Sequence, residues 1–68
     1  MTIDKIKHNL PENIFNYWTT LINHYPYSTV KERLNQAKKQ LREEIDAEIF
    51  GLPVHYVYEL KLLEHLTN

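Results

Sequence analysis

The sequence predicts an all-α fold, a small bundle of three helices. Apolar residues recur at spacings of three and four along three stretches of the chain, which is the period of one helix face. Proline and glycine occur only within "NLPEN", "HYPYS" and "FGLPV", which separate those stretches. Because 68 residues form one domain at most, we expect a single helical domain over residues 1–68. Its helices are predicted at roughly 11–25, 29–50 and 53–66.

The first predicted helix begins at Pro11, since a missing N–H costs nothing at the first helical position. Its apolar face has members at i, i+4, i+7, i+8 and i+11, namely Ile14, Trp18, Leu21, Ile22 and Tyr25. The opposite face consists of asparagine and threonine, which are weak helix formers. We therefore expect tertiary packing, more than local propensity, to stabilise this helix.

The segment "HYPY", residues 24–27, is predicted to be the corner between the first two helices. Pro26 disfavours a helical conformation at Tyr25 and supplies no backbone donor, so the first helix should end here. Tyr25 falls on the apolar face and is expected in the core. Tyr27 is expected to pack back across the turn as a hydrophobic staple does. An aromatic binding patch is the alternative reading of this segment.

The second predicted helix has both an N-terminal and a C-terminal signal. Thr29 and Glu32 match a capping box. In this motif the Thr29 hydroxyl accepts from the backbone N–H of Glu32, and the Glu32 carboxylate accepts from the backbone N–H of Thr29. Gly51 stands where a helix commonly ends in a left-handed residue. The apolar positions between these signals are Val30, Leu34, Ala37, Leu41, Ile45 and Ile49.

The third predicted helix carries two apolar stripes. The first contains Tyr56, Val57, Leu60 and Leu63, and can face the other two helices. The second contains Tyr58, Leu62 and Leu66, and nothing in a three-helix bundle covers it. Ile3, Ile6 and Leu10 are spaced for one further helical turn at the N-terminus. We therefore predict that a protein partner binds the second stripe; burial of the stripe in a homodimer is the alternative. The predicted partner-binding residues are Tyr27, Tyr58, Leu62 and Leu66.

Composition argues against catalysis, cofactors and metals. The chain has no cysteine, one glycine and one serine, so disulfides, thiolate ligands and a glycine-rich phosphate loop are absent from the sequence. It has no Glu-x-x-His spacing of the kind found in helical metal sites. The net charge is −1, and no apolar run is long enough for a membrane span. We expect a cytoplasmic protein that is not an enzyme and has no cofactor, metal or membrane partner.

The charges of the second helix are divided along its length. Counting Lys and Arg against Asp and Glu, residues 31–42 sum to +4 and residues 43–50 to −4. This order opposes the helix dipole, which favours acids near the N-terminus. An antiparallel copy, related by a two-fold axis near Arg42, would pair each basic half with an acidic half. The sequence thus predicts a homodimer, which small cysteine-free domains often need for stability. In the alternative interpretation the charges are solvated and the acids face the first helix or a different protein. The predicted self-association residues are Lys38, Lys39, Arg42, Glu43 and Asp46.

Nucleic-acid binding is the alternative function. The basic half of the second helix provides candidate phosphate ligands, and Asn35, Gln36 and Gln40 among them are side chains able to read base edges. The third helix, with one lysine and no arginine, is a poor recognition helix. We therefore expect a non-catalytic interaction or regulatory protein that binds a macromolecular partner, with nucleic acid as the less favoured partner. The nucleic-acid candidates are Lys31, Arg33, Lys38, Lys39 and Arg42.

Overall fold

The fold is that of a computed structural model, which describes residues 2–47 and 54–67. Four helices and no strand are present in these two ranges: α1 (Ile3–Asn9), α2 (Glu12–His24), α3 (Tyr27–Asp46) and α4 (His55–Leu66). The all-α class is confirmed, and the bundle consists of the three predicted helices preceded by a short N-terminal helix. The predicted helix end near residue 50, with Gly51, and the predicted start at Pro53 lie outside the described residues.

Helix α4 is the centre of the bundle, because α1, α2 and α3 all pack against it. Leu62 and Leu63 are each 0% exposed. Successive residues of a helix point about 100° apart, so the burial of both requires neighbours on two sides of the helix. Apolar residues around most of a helix are typical of a buried one. The two stripes of α4 are therefore largely used within the chain.

The prediction that one stripe of α4 is uncovered is wrong. Leu62 is fully buried, and Tyr58 and Leu66 are half-buried. The physical reason is α1, which is a complete helix and packs on α4 with Ile6 and Leu10 in the core. The exposed side of α4 includes Val57 instead. The prediction that Val57 faces the other helices is therefore also wrong.

The corner at residues 25–26 forms as predicted, but its tyrosines do not lie where expected. Helix α2 ends at His24, and Tyr25 is extended at φ −129° and ψ 147°, as residues before proline prefer. Tyr25 is 54% exposed, so its predicted place in the core is wrong. Leaving the helical conformation carries its side chain away from the buried face of α2.

Helix α3 begins earlier than the capping box predicts. Tyr27 is its first residue, so Thr29 lies inside the first turn and makes no capping hydrogen bond. The N–H groups of Thr29 and Val30 donate to the carbonyl oxygen of Pro26, at 2.9 and 3.4 Å. Proline at the N-cap thus starts the helix, and the staple role expected of Tyr27 does not arise. The predicted apolar face is confirmed over the described part of α3, with Val30, Leu34 and Leu41 buried.

A side-chain N-cap is present at α1. The Oγ1 atom of Thr2 accepts a hydrogen bond from the backbone N–H of Lys5 at 3.3 Å.

In α2, Trp18 is the buried residue, and its predicted neighbours Ile14, Leu21 and Ile22 are half-buried against the core. Among the described helices, none is both long enough and apolar enough to cross a bilayer.

Candidate functional site

The four predicted partner-binding residues do not form one exposed surface. Leu62 is in the core, and Tyr58 and Leu66 are half-buried around it. Tyr27 is exposed at the start of α3, where its hydroxyl lies 3.5 Å from the carbonyl oxygen of Thr67 at the end of α4. A partner surface built on the second stripe of α4 is therefore not available while α1 is packed against that helix.

The five predicted self-association residues separate into two groups. Lys38 donates to Oγ1 of Thr67 at 2.9 Å, and Arg42 lies 3.7 Å from the carboxylate of Glu64. These two cations therefore contact the C-terminal end of α4. The second group contains Lys39, Glu43 and Asp46. These residues are exposed on the outer face of α3 and form no ion pair within residues 2–47 and 54–67.

The predicted nucleic-acid residues lie on different sides of α3. Arg33 contacts Tyr17 of α2, whereas Lys38 and Arg42 contact α4. Lys31 and Lys39 are exposed. Arg33 therefore lies apart from the other four, because Lys31, Lys38, Lys39 and Arg42 are spaced i, i+7, i+8 and i+11 and share one face of the helix.

An exposed contact between Tyr17 and Arg33 joins α2 to α3. The guanidinium of Arg33 donates a hydrogen bond to the hydroxyl of Tyr17 and lies 5.5 Å from the centre of the Tyr17 ring. It also lies 5.9 Å from the ring centre of Trp18, which meets Tyr17 edge to face at 4.9 Å. Cation–π and edge-to-face contacts of this geometry stabilise the arrangement of the three side chains. Arg33 and Tyr17 therefore contact each other although both are exposed.

A shallow depression lies on the α2 side of this contact. Its volume is about 450 Å³. Its lining residues come from the last two turns of α2 and the corner: Asn16, Tyr17, Thr20, Leu21, His24 and Tyr25. Tyrosine and leucine provide its apolar surface, so we call it the apolar depression.

A second depression, of about 350 Å³, lies on the other side of the contact, between α2, α3 and α4. Two glutamates, two glutamines and Arg33 make it more polar than the first, so we call it the polar depression. Its lining residues are Trp18, Arg33, Gln36, Ala37, Gln40, Leu41, Glu44, Tyr56 and Glu59. Tyr17 lines the first depression and Arg33 the second, so their contact links the two, and together we call them the docking face.

The carboxylates of the polar depression lack a positive partner. The Oε1 atom of Glu59 accepts a hydrogen bond from Nε1 of Trp18 at 2.9 Å, and that of Glu44 lies 3.5 Å from Nε2 of Gln40. Neither glutamate forms an ion pair with any described residue. The guanidinium of Arg33 is bonded to Tyr17 instead. The depression therefore presents two half-buried carboxylates that form no ion pair, together with the guanidinium of Arg33.

The sequence indicated only His24 and Tyr25 of the docking face, through the alternative reading of residues 24–27, because the other residues are spread over three helices. Tyr17 and Arg33 are 16 positions apart, and Trp18 and Glu59 are 41 apart. One signal was present: Glu59 interrupts the apolar positions of the third predicted helix. An acidic residue in a buried arc needs a donor, and the single tryptophan could supply one. No group of three or more histidine or acidic residues suited to a metal ion occurs in the described part of the chain.

Comparison of the chain with protein-family models, with curated proteins and with solved structures finds no match.

Proposed function

We propose that the chain is a non-catalytic interaction protein that binds a protein partner through the docking face. The observation that carries this proposal is the Tyr17–Arg33 contact, which brings together an exposed tyrosine of one depression and an exposed arginine of the other. Tyrosine, tryptophan and arginine are the residues most enriched at the energetic centres of protein interfaces. Side chains already held in place lose less entropy when a partner binds.

The apolar depression supports a protein as the partner. A depression of about 450 Å³ lined by Tyr17, Leu21 and Tyr25 can receive one or two apolar side chains. Helices and extended segments both present such side chains to grooves on their targets. We propose that one apolar residue of the partner anchors here, while the neighbouring part of the partner crosses the Tyr17–Arg33 contact.

Capture from a lysate of the source cells tests the proposal with a matched pair of variants. Tyr25→Ser removes an exposed tyrosine from the docking face, and Tyr27→Ser removes a similarly exposed tyrosine outside it. These residues are 54% and 43% exposed, so neither change should unfold the chain. We expect immobilised wild type and Tyr27→Ser to capture the same protein and Tyr25→Ser to lose it. Equal thermal melting temperatures of the three proteins serve as the control.

The opposite pattern would overturn the proposed docking face. A protein retained by Tyr25→Ser and lost by Tyr27→Ser would indicate a partner surface around the start of α3 and the end of α4. A protein retained by both variants would locate the interaction away from the two tyrosines.

Antiparallel homodimerisation through the outer face of α3 is a second candidate. The favouring observation is that Lys39, Glu43 and Asp46 are exposed and unpaired among the described residues. A two-fold axis between Lys39 and Glu43 would place Lys39 of each copy opposite Glu43 of the other copy. Every exposed residue from Ser28 to Asp46 is polar or charged, so this interface would lack an apolar core. We propose a weak, salt-sensitive dimer that leaves the docking face free.

Nucleic-acid binding receives less support than a protein partner. Arg33, Lys38 and Arg42 each contact another helix of the chain, and a phosphate group would compete with those contacts. A gel shift at low and moderate salt distinguishes the two functions, because phosphate binding weakens steeply as salt rises. The cytoplasmic location expected from the sequence remains a prediction.

A further inference from the structure

We propose that the polar depression binds a basic side chain, an arginine or a lysine, that belongs to the protein partner. This inference rests on the proposed function and specifies the chemistry of the partner. The partner segment would present an apolar side chain to the apolar depression and a basic side chain to Glu59 and Glu44, with the Tyr17–Arg33 contact between them.

The charges of the depression favour a cation. Glu44 and Glu59 are half-buried and form no ion pair among the described residues. Arg33 lines the same depression, yet its guanidinium is bonded to the hydroxyl of Tyr17 and lies over two aromatic rings. The depression therefore holds two carboxylates and one guanidinium, −2 against +1, and the excess of one negative charge favours a partner cation. Opposite charges brought together in a sheltered groove attract more strongly than on an open surface.

The geometry of Glu59 is prepared for a second donor. The indole of Trp18, which is buried, holds Oε1 of Glu59 at 2.9 Å. A carboxylate has about four acceptor positions on its two oxygens, so most of its capacity remains when one indole N–H is bound. An arginine guanidinium can donate two parallel hydrogen bonds to a carboxylate. Glu59 is thus a positioned acceptor, and Glu44 adds a second negative charge at the same groove.

Titration of the isotope-labelled full chain with small probes tests this inference by NMR. The probes are Nα-acetyl-arginine amide and its neutral counterpart Nα-acetyl-citrulline amide, which has nearly the same shape. The reporter is the indole N–H resonance of Trp18, the single tryptophan of the chain. We expect a saturable shift of this resonance with the arginine probe and none with the citrulline probe.

Two variants locate the binding group. Glu59→Gln and Glu44→Gln each remove a negative charge from the depression, and Glu44→Gln does so without changing the acceptor of Trp18. Glu43→Gln, on the outer face of α3, is the control. We expect each depression variant to weaken binding of the arginine probe by about tenfold, the size of one charged hydrogen bond, and the control to bind as wild type does.

Equal shifts with the arginine and citrulline probes would overturn the inference, and so would unchanged binding by both depression variants. Its failure is distinguishable from that of the proposed function. If capture of the partner depends on Tyr25 while the arginine probe does not bind, the docking face stands and the basic side chain is wrong. If the arginine probe binds while capture is indifferent to Tyr25, the docking face as proposed is wrong.

Discussion

Trp18 and Glu59 join α2 to α4 through a hydrogen bond of 2.9 Å from the indole Nε1 to the carboxylate Oε1. The bond satisfies the only polar atom of a buried indole ring. It also fixes a carboxylate at the border between the core and the polar depression. The same pair of residues therefore contributes both to the packing of the bundle and to the shape of the docking face.

Replacement of Glu59 should reveal the contribution of this bond to stability. Glu59→Ala leaves the Trp18 indole without its acceptor, and we expect it to lower the free energy of unfolding by about 1–3 kcal/mol. Glu59→Gln retains an acceptor oxygen and should cost less. Urea unfolding followed by tryptophan fluorescence measures both. Glu32→Ala, at an exposed site on α3, is the control, and an equal effect of Glu59→Ala and Glu32→Ala would contradict the role given to the bond.

The central position of α4 predicts opposite outcomes for two of its apolar residues. Leu62→Ala should lower the free energy of unfolding by about 2–5 kcal/mol, because it opens a cavity among three helices. Val57→Ala, at a position 41% exposed, should change it by about 0.5 kcal/mol or less. Chemical denaturation of both variants provides the comparison. A small loss for Leu62→Ala would mean that α1 does not cover this side of α4.

The helix caps give a second matched pair of substitutions. Thr2→Ala removes the side-chain acceptor for the N–H of Lys5 and should destabilise α1 by about 0.5–2 kcal/mol. Thr29→Ala falls inside the first turn of α3, where no capping bond is lost, and should have little effect. Amide hydrogen exchange resolves the two helices separately. The contrary result would be faster exchange in α3 with Thr29→Ala and unchanged exchange in α1 with Thr2→Ala. It would mean that Thr29 caps α3, as the capping box predicts.

The proposed dimer predicts a rescue by charge exchange. Lys39→Glu places like charges opposite each other and should weaken self-association, whereas the double variant Lys39→Glu with Glu43→Lys should regain it. Lys38 is left unchanged because it already contacts Thr67. Sedimentation equilibrium at low and high salt measures the association, which should weaken with salt in the wild type. Identical association of all three proteins would exclude this pairing of α3.

The sequence predicted the helices well because their apolar period is strong. Val30, Leu34 and Leu41 of α3 lie in the core as their spacing indicates, and Pro26 ends α2. The short helix α1 was harder to predict, since Ile3, Ile6 and Leu10 alone mark it. Without α1, the second stripe of α4 had no neighbour and was assigned to a partner. The apolar period shows which residues share the buried face of a helix, but it does not identify the element that covers that face.

Apart from His24 and Tyr25, which belong to the alternative binding patch at residues 24–27, the docking face could not be predicted from local pattern. The position of the Tyr25 side chain depends on the extended backbone that Pro26 favours at Tyr25, and the exposure of the side chain follows from that conformation. Arg33 was grouped with the other cations of the second helix because all lie within twelve residues. Only the packing of α2 beside α3 shows that Arg33 belongs with Tyr17 instead.

Site-specific photocrosslinking tests whether a protein partner binds at the docking face. A photoreactive residue replaces Thr20, which lines the apolar depression, or Asn35, which is exposed on α3 away from both depressions. Irradiation in a lysate of the source cells, followed by mass spectrometry, identifies the adducts. We expect one protein adduct at position 20 that is absent at position 35 and disappears when Tyr25→Ser is added. The same adducts from both positions, unaffected by Tyr25→Ser, would contradict it.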